Sequence, residues 1–139
     1  MPETIESTGM TLRRANAVLT AAVTAAEHEG VRIAAVVVDT AGHVVASQRM
    51  DGAYLTALTI AERKAFTAAN FRVSTDAMRE RLADISYQIQ IQAVDPRLAF
   101  LPGGLPILDG DEVVGALGVS GGSGAQDVSV CRASVTALA

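Results

Sequence analysis

The run Val31 to Val38 constrains this chain most, since apart from Arg32 it is apolar throughout and rich in β-branched residues. A strand of that composition is apolar on both faces and has to lie in the middle of a covered sheet. The rest of the sequence can supply the cover. Half of the 139 residues are hydrophobic, 19% are charged and the mean hydropathy is +0.32, enough apolar surface to offset the entropy of ordering a single domain over residues 1–139. The longest apolar run, Ile33 to Val38, stops at Asp39, far short of the roughly 18 residues that cross a bilayer, so no membrane partner is expected. The excess of apolar over charged residues points instead to a homo-oligomer, a dimer or larger.

Charge and cysteine usage narrow the function classes. Eleven basic against fifteen acidic residues leave a net charge of −4, and the arginines are scattered. With aromatics at 4% and no Trp, a basic stacking groove for nucleic acid is not expected. The single Cys131 allows no internal disulfide and fits a reducing compartment. Met1 to Thr8 carries Glu3 and Glu6 with neither a basic flank nor an apolar core, so the expected location is cytoplasmic.

Apolar residues at 12, 15, 19, 22, 23 and 26 predict a helix from Leu12 that ends at Gly30, a natural left-handed cap. Residues 31 to 49 predict an antiparallel hairpin turning at Asp39-Thr40-Ala41-Gly42. Leu55 to Asn70, alanine-rich and without Gly or Pro, predicts a second helix, and Ser74 can cap a third carrying Met78, Leu82 and Ile85 on one face. From Gln88 to Phe100 the periodicity weakens, which predicts a loop with a short strand near Leu98 to Leu101. Asp109-Gly110-Asp111 is a hairpin signal between two further strands. Ser123 and Gln126 form a capping box for a last helix reaching about Leu138. The order defines an α+β fold on a mostly antiparallel sheet.

Several groupings could carry chemistry. Gly118-Val119-Ser120-Gly121-Gly122 matches the G-x-S-x-G of a hydrolase elbow, but both histidines, His28 and His43, precede Ser120, and a triad of that order needs one after it. Two readings stay open for the glycines: conformational freedom and close backbone approach, or an amide-lined cradle for a carboxylate or phosphate at the start of the last helix. Arg49, Asp51 and Lys64 form a second grouping, with Lys64 among Ala61, Ala65, Phe66 and Ala68. There too an ion pair that only orders a loop stands beside a lysine poised for proton transfer or anion holding. His28, in the last turn of the first helix, reads as a solvated cap or as an axial haem ligand. The two histidines have no further ligand at metal spacing, so no structural metal site is expected. Cys131 reads as a small core filler.

Taken together, Val37-Val38-Asp39-x-x-Gly42, Arg49-Met50-Asp51-Gly52-Ala53, Ala61-x-x-Lys64-Ala65-x-Thr67-Ala68, Pro102-Gly103-Gly104-x-Pro106-Ile107 and Gly115-Ala116-x-Gly118-Val119-Ser120-Gly121-Gly122 followed by Gln126-Asp127 resemble the GlcG/HbpS family. The likeness runs from Leu12 to Leu138. It implies a profilin-like or PAS-like sheet of about five antiparallel strands flanked by helices, assembled as a symmetric oligomer. It also implies a small-molecule site, for a small anionic metabolite or for haem, lined by Arg49, Asp51, Gly52, Lys64, Gly103, Gly104, Ser120, Gly121 and Gly122, with His28 as the candidate axial ligand. The alternative from another class is a metal-independent enzyme in which Lys64 or Asp51 moves a proton on a small carbonyl or carboxylic substrate.

Overall fold

The computed structural model describes residues 9–136. Its elements are α1 (Leu12–Glu29), β1 (Ala34–Asp39), β2 (Val44–Arg49), α2 (Ala57–Phe71), α3 (Thr75–Arg81), α4 (Ile85–Val94), β3 (Gly104–Asp109), β4 (Glu112–Ser120) and α5 (Gly124–Thr136). The strands form one antiparallel sheet in the order β2-β1-β4-β3. The apolar β1 therefore occupies an inner position. Its Ala35 and Val37 join Ile33 in a core shared with α1, Ile107 of β3, Leu117 and Val119 of β4 and Val130 of α5. Ala34, Val36 and Val38 point the other way, onto Ala57, Ala61, Ala65 and Ala68 of α2. Helices cover both faces of the sheet, and among the described residues α2 is the one long helix on its side.

The two faces pack differently. The α1 and α5 side interlocks Val, Leu and Ile side chains, whereas the α2 side is nearly all alanine, so the helix can settle closely on the strands. Gly118 and Gly104 make that approach possible. A Cβ at Gly118 would collide with the Ala61 carbonyl oxygen, and one at Gly104 would stand 2.5 Å from the Lys64 carbonyl oxygen. Both obstacles are helix backbone, which cannot swing aside.

The caps match the sequence. Gly30 is left-handed at φ 71°, Ser74 Oγ accepts the Ala77 N–H, and Ser123 and Gln126 exchange side-chain-to-backbone bonds. The hairpin turn falls at Gly110-Asp111, with Asp109 opposite Glu112. The expected end of the last helix near Leu138 lies outside the described residues.

Two expectations are corrected. The sheet has four strands among the described residues, not about five: Leu98, Ala99 and Phe100 are buried as an irregular segment. Side chains replace a neighbouring strand there, because Thr67 Oγ1 accepts the Ala99 N–H at 2.8 Å and Thr75 Oγ1 donates to the Leu101 carbonyl at 2.6 Å. Secondly, residues 85–94 form the helix α4 rather than continuing the third helix into a loop. The chain leaves helical geometry at Leu82, and Asp84 caps a new helix by accepting the Ser86 N–H.

Gly118→Ala is expected to lower stability by about 3 kcal/mol or more through overpacking against fixed backbone. Urea denaturation checks this; a loss below about 1 kcal/mol would show that α2 can lift from β4 without cost.

Candidate functional site

Lys64 sits one turn after Ala61 on α2 and is 3% exposed. Its Nζ donates to the Val119 carbonyl at 2.8 Å and to Asp127 Oδ2 at 3.1 Å. Asp127, in the first turn of α5, is equally buried, and its other oxygen accepts the Gly122 N–H at 2.9 Å. Since α2 and α5 cover opposite faces of the sheet, this ion pair reaches from one helical layer to the other at the end of the β3–β4 ladder. Gly103 leaves the room: a Cβ there would be 2.6 Å from the Val119 carbonyl oxygen and 3.0 Å from Lys64 Nζ. Desolvation lifts the Asp127 carboxyl above the ordinary aspartate range, against the opposing pull of the Lys64 charge and the Gly122 N–H. Burial likewise pushes the Cys131 thiol far up, and its Sγ lies 3.1 Å from the Gly103 carbonyl oxygen.

The sequence placed Lys64 with Arg49 and Asp51, and its partner is instead Asp127. The reason is layer geometry: Lys64 points past the sheet towards α5, while Arg49 and Asp51 line a hollow of about 300 Å³ with Val23, Glu27, Arg32, Gln48 and Met50. The Pro102–Pro106 loop and the Gly118–Gly124 turn do meet around Lys64, but in close packing rather than around an opening. A second hollow, of about 490 Å³, lies on the outer side of the glycine turn. Gly52, Tyr54, Gly121, Gly122, Ser123, Gln126 and Arg32 line it with Gly30 and Val31. Arg32 borders both hollows and, among the described residues, its guanidinium has no ion-pair partner.

Three amides of the glycine segment are engaged within the chain. The Gly122 N–H is taken by Asp127, the Ser123 N–H by Gln126, and the Val119 N–H by the Gly103 carbonyl. Gly121, at φ 134°, serves close approach, since a Cβ there would strike the Arg32 carbonyl oxygen. Ser120 is a buried ladder residue opposite Ala34. His28 is exposed in the last turn of α1 and lines neither hollow.

Sequence reasoning did not single out Arg32, Tyr54 or Asp127 as site residues. Asp127 carried a usable signal, because a lysine on an alanine-rich helix face needs a buried carboxylate and Asp127 follows the glycine turn. Arg32 was visible as the one charge interrupting the apolar run. Among the described residues no group of three or more His, Cys, Asp or Glu side chains could hold a metal ion, and no helix is long and apolar enough to cross a membrane.

A covered antiparallel sheet, a buried lysine–aspartate pair under a glycine turn and open hollows beside it are the features that this α+β domain presents. The family model described as haem degrading protein HbpS-like matches residues 10–136, and the chain belongs to this family. It is 36% identical over 92 residues to an uncharacterised 15.0 kDa protein of the dhaT-dhaS intergenic region of Citrobacter freundii, covering 66% of this chain and 65% of that one. The match thus spans slightly less than two thirds of that relative. Protein GlcG of Escherichia coli K12 is 32% identical over 106 residues, covering 76% of this chain and 77% of GlcG. The crystal structure of a double mutant of HbpS from Streptomyces reticuli superposes with a TM-score of 0.86 at 35% identity, covering 100% of this chain and 93% of that one.

Removing one member of the buried pair is expected to cost about 3–5 kcal/mol, because it leaves an uncompensated charge or an orphaned partner. Lys64→Met and Asp127→Asn should each destabilise by that order, and the double variant by clearly less than their sum. Additive losses in chemical denaturation would show that the two groups do not act as a pair.

Proposed function

We propose that this chain is a small-molecule-binding protein of the GlcG/HbpS type, an oligomer working in the cytoplasm, that holds a carboxylate in the hollow beside the glycine turn. The carboxylate belongs to a small anionic metabolite or to a haem propionate. The observation that carries this reading is Arg32, a cation with no ion-pair partner among the described residues, on the rim of both hollows and next to a turn whose Gly122 and Ser123 amides are occupied. Arg49 adds a second positive charge in the adjoining hollow, and Asp51 beside it favours ligands that also carry a donor. The four-stranded sheet with helices on both faces is compatible with a profilin-like or PAS-like layout.

The family description supports haem as the larger of the two candidates. The donor set suits it, since Arg32 matches a propionate and the phenol of Tyr54, 74% exposed and lining the same hollow, is an oxygen ligand of the kind that holds haem iron. Haem bound there would supply a redox-active iron; the chain's own part is to orient the porphyrin edge through Arg32 and to present Tyr54. His28 has no place in this arrangement. Proton transfer by Lys64 has no support either, because its ammonium is committed to Val119 and Asp127 and lines neither hollow.

Haemin titration followed at the Soret band and calorimetry with a panel of small carboxylates separate the two ligand sources. The bound member should lose about ten- to a hundredfold in affinity in Arg32→Gln, the loss of one charge-assisted contact. If haemin is the ligand, Tyr54→Phe should also alter the bound spectrum while His28→Ala leaves it unchanged. Equal affinity in wild type and Arg32→Gln, or no binding of either class, overturns the reading.

A further inference from the structure

We infer that the chain carries a second ligand site at the far end of the β1–β2 hairpin, and that it takes an aromatic amino acid, with the carboxylate on Arg63, the ammonium on Glu62 and the ring on Arg97. A hollow of about 460 Å³ lies there between the hairpin turn and the outer face of α2; Ala41, Val44, Glu62, Arg63, Phe66 and Arg97 are among its lining. That size falls within the range of small-molecule sites. Six residues of β1, roughly 20 Å of strand, separate it from the hollow beside the glycine turn, with which it shares no residue. Neither site depends on the other.

The walls of this hollow are held in place by specific contacts. Gly42 is left-handed at φ 86°, and a Cβ there would stand 2.4 Å from the Phe66 ring, so glycine lets the turn close over that ring. The Asp39 carboxylate fixes the same turn by accepting the Ala41 and His43 N–H groups at 2.9 and 3.0 Å. Arg97 lies over Phe66 with its guanidinium carbon 4.4 Å from the ring centroid, and its Nε and Nη2 donate to Asp95 at 2.9 and 2.8 Å. The Arg97 side chain is nevertheless 68% exposed, so its second flat face stays open. An arginine already fixed in this way loses little freedom when a ligand ring stacks on it.

Charge selects the rest of the ligand. Asp95 balances Arg97, and Asp39 stands 3.9 Å from the His43 imidazole. That leaves Glu62 and Arg63, consecutive on α2, exposed, lining one hollow and without an ion-pair partner among the described residues. A simple anion would gain Arg63 and meet repulsion from Glu62, and a simple cation the reverse. A ligand with an ammonium and a carboxylate on one carbon satisfies both. The open guanidinium face prefers an electron-rich ring, indole above all, and exposed Ala41 and Val44 give that ring an apolar edge.

L-Tryptophan is the probe, because the chain contains no Trp and the fluorescence of the ligand can be followed directly. Saturable binding with a Kd below about 1 mM is expected. It should be weaker by about tenfold or more for tryptamine, which lacks the carboxylate, and for indole-3-propionate, which lacks the ammonium. Arg63→Gln should erase the advantage of L-tryptophan over tryptamine, and Glu62→Gln its advantage over indole-3-propionate. Arg97→Lys keeps the charge without the flat face and should weaken all three, whereas Arg32→Gln should change none. The substituted positions are exposed, so unchanged circular dichroism spectra are expected; if a variant does not fold, the two analogues on wild type decide alone. No saturation up to about 1 mM, equal affinity for L-tryptophan and either analogue, or unchanged affinity in Arg63→Gln and Glu62→Gln overturns the assignment and leaves the carboxylate site at Arg32 standing. A loss in Arg32→Gln as large as that in Arg63→Gln also overturns it.

Discussion

The close seating of α2 on β3 and β4 governs most of this structure. Two glycines and a face of alanines let helix backbone meet strand backbone with no side chain between. Only at that separation can a lysine side chain, anchored on one face, reach past the end of the ladder to a carboxylate belonging to the opposite layer. The buried pair is therefore a consequence of the small-residue contact. Burying it carries a desolvation penalty, repaid only because every polar atom is answered: two acceptors for the ammonium, and a backbone amide for the second carboxylate oxygen.

The same constraint explains the form of the candidate site. Asp127 and Gln126 engage the Gly122 and Ser123 amides, so these two N–H groups brace the wall of the turn from within. What remains for a ligand is the outer surface of that wall, where Arg32, Tyr54 and Gly52 converge. Inward-facing groups of this short segment brace the turn, while its outward side lines the hollow.

Most of the architecture was legible in the sequence because local signals agreed with the global layers. The apolar β1, the Gly30 cap, the Asp109–Asp111 turn and the Ser123–Gln126 box each act within a few residues, and each appears where expected. The failures share a cause. Residues 98–101 are apolar and extended but are held by the hydroxyls of Thr67 and Thr75, long-range partners that no local pattern reveals. The helix α4 escaped because its apolar residues do not fall on one stripe, and periodicity finds only helices that have one buried face. Lys64 was recognised as unusual, but Asp127 lies 63 residues away, and proximity in sequence favoured Asp51.

The lone thiol gives the molecule a built-in reporter. Cys131 is shut between α5 and the Gly103 segment, so alkylation requires that this segment detach from the helix. Its labelling rate under native conditions measures how often the junction of the three layers breathes, without any introduced probe.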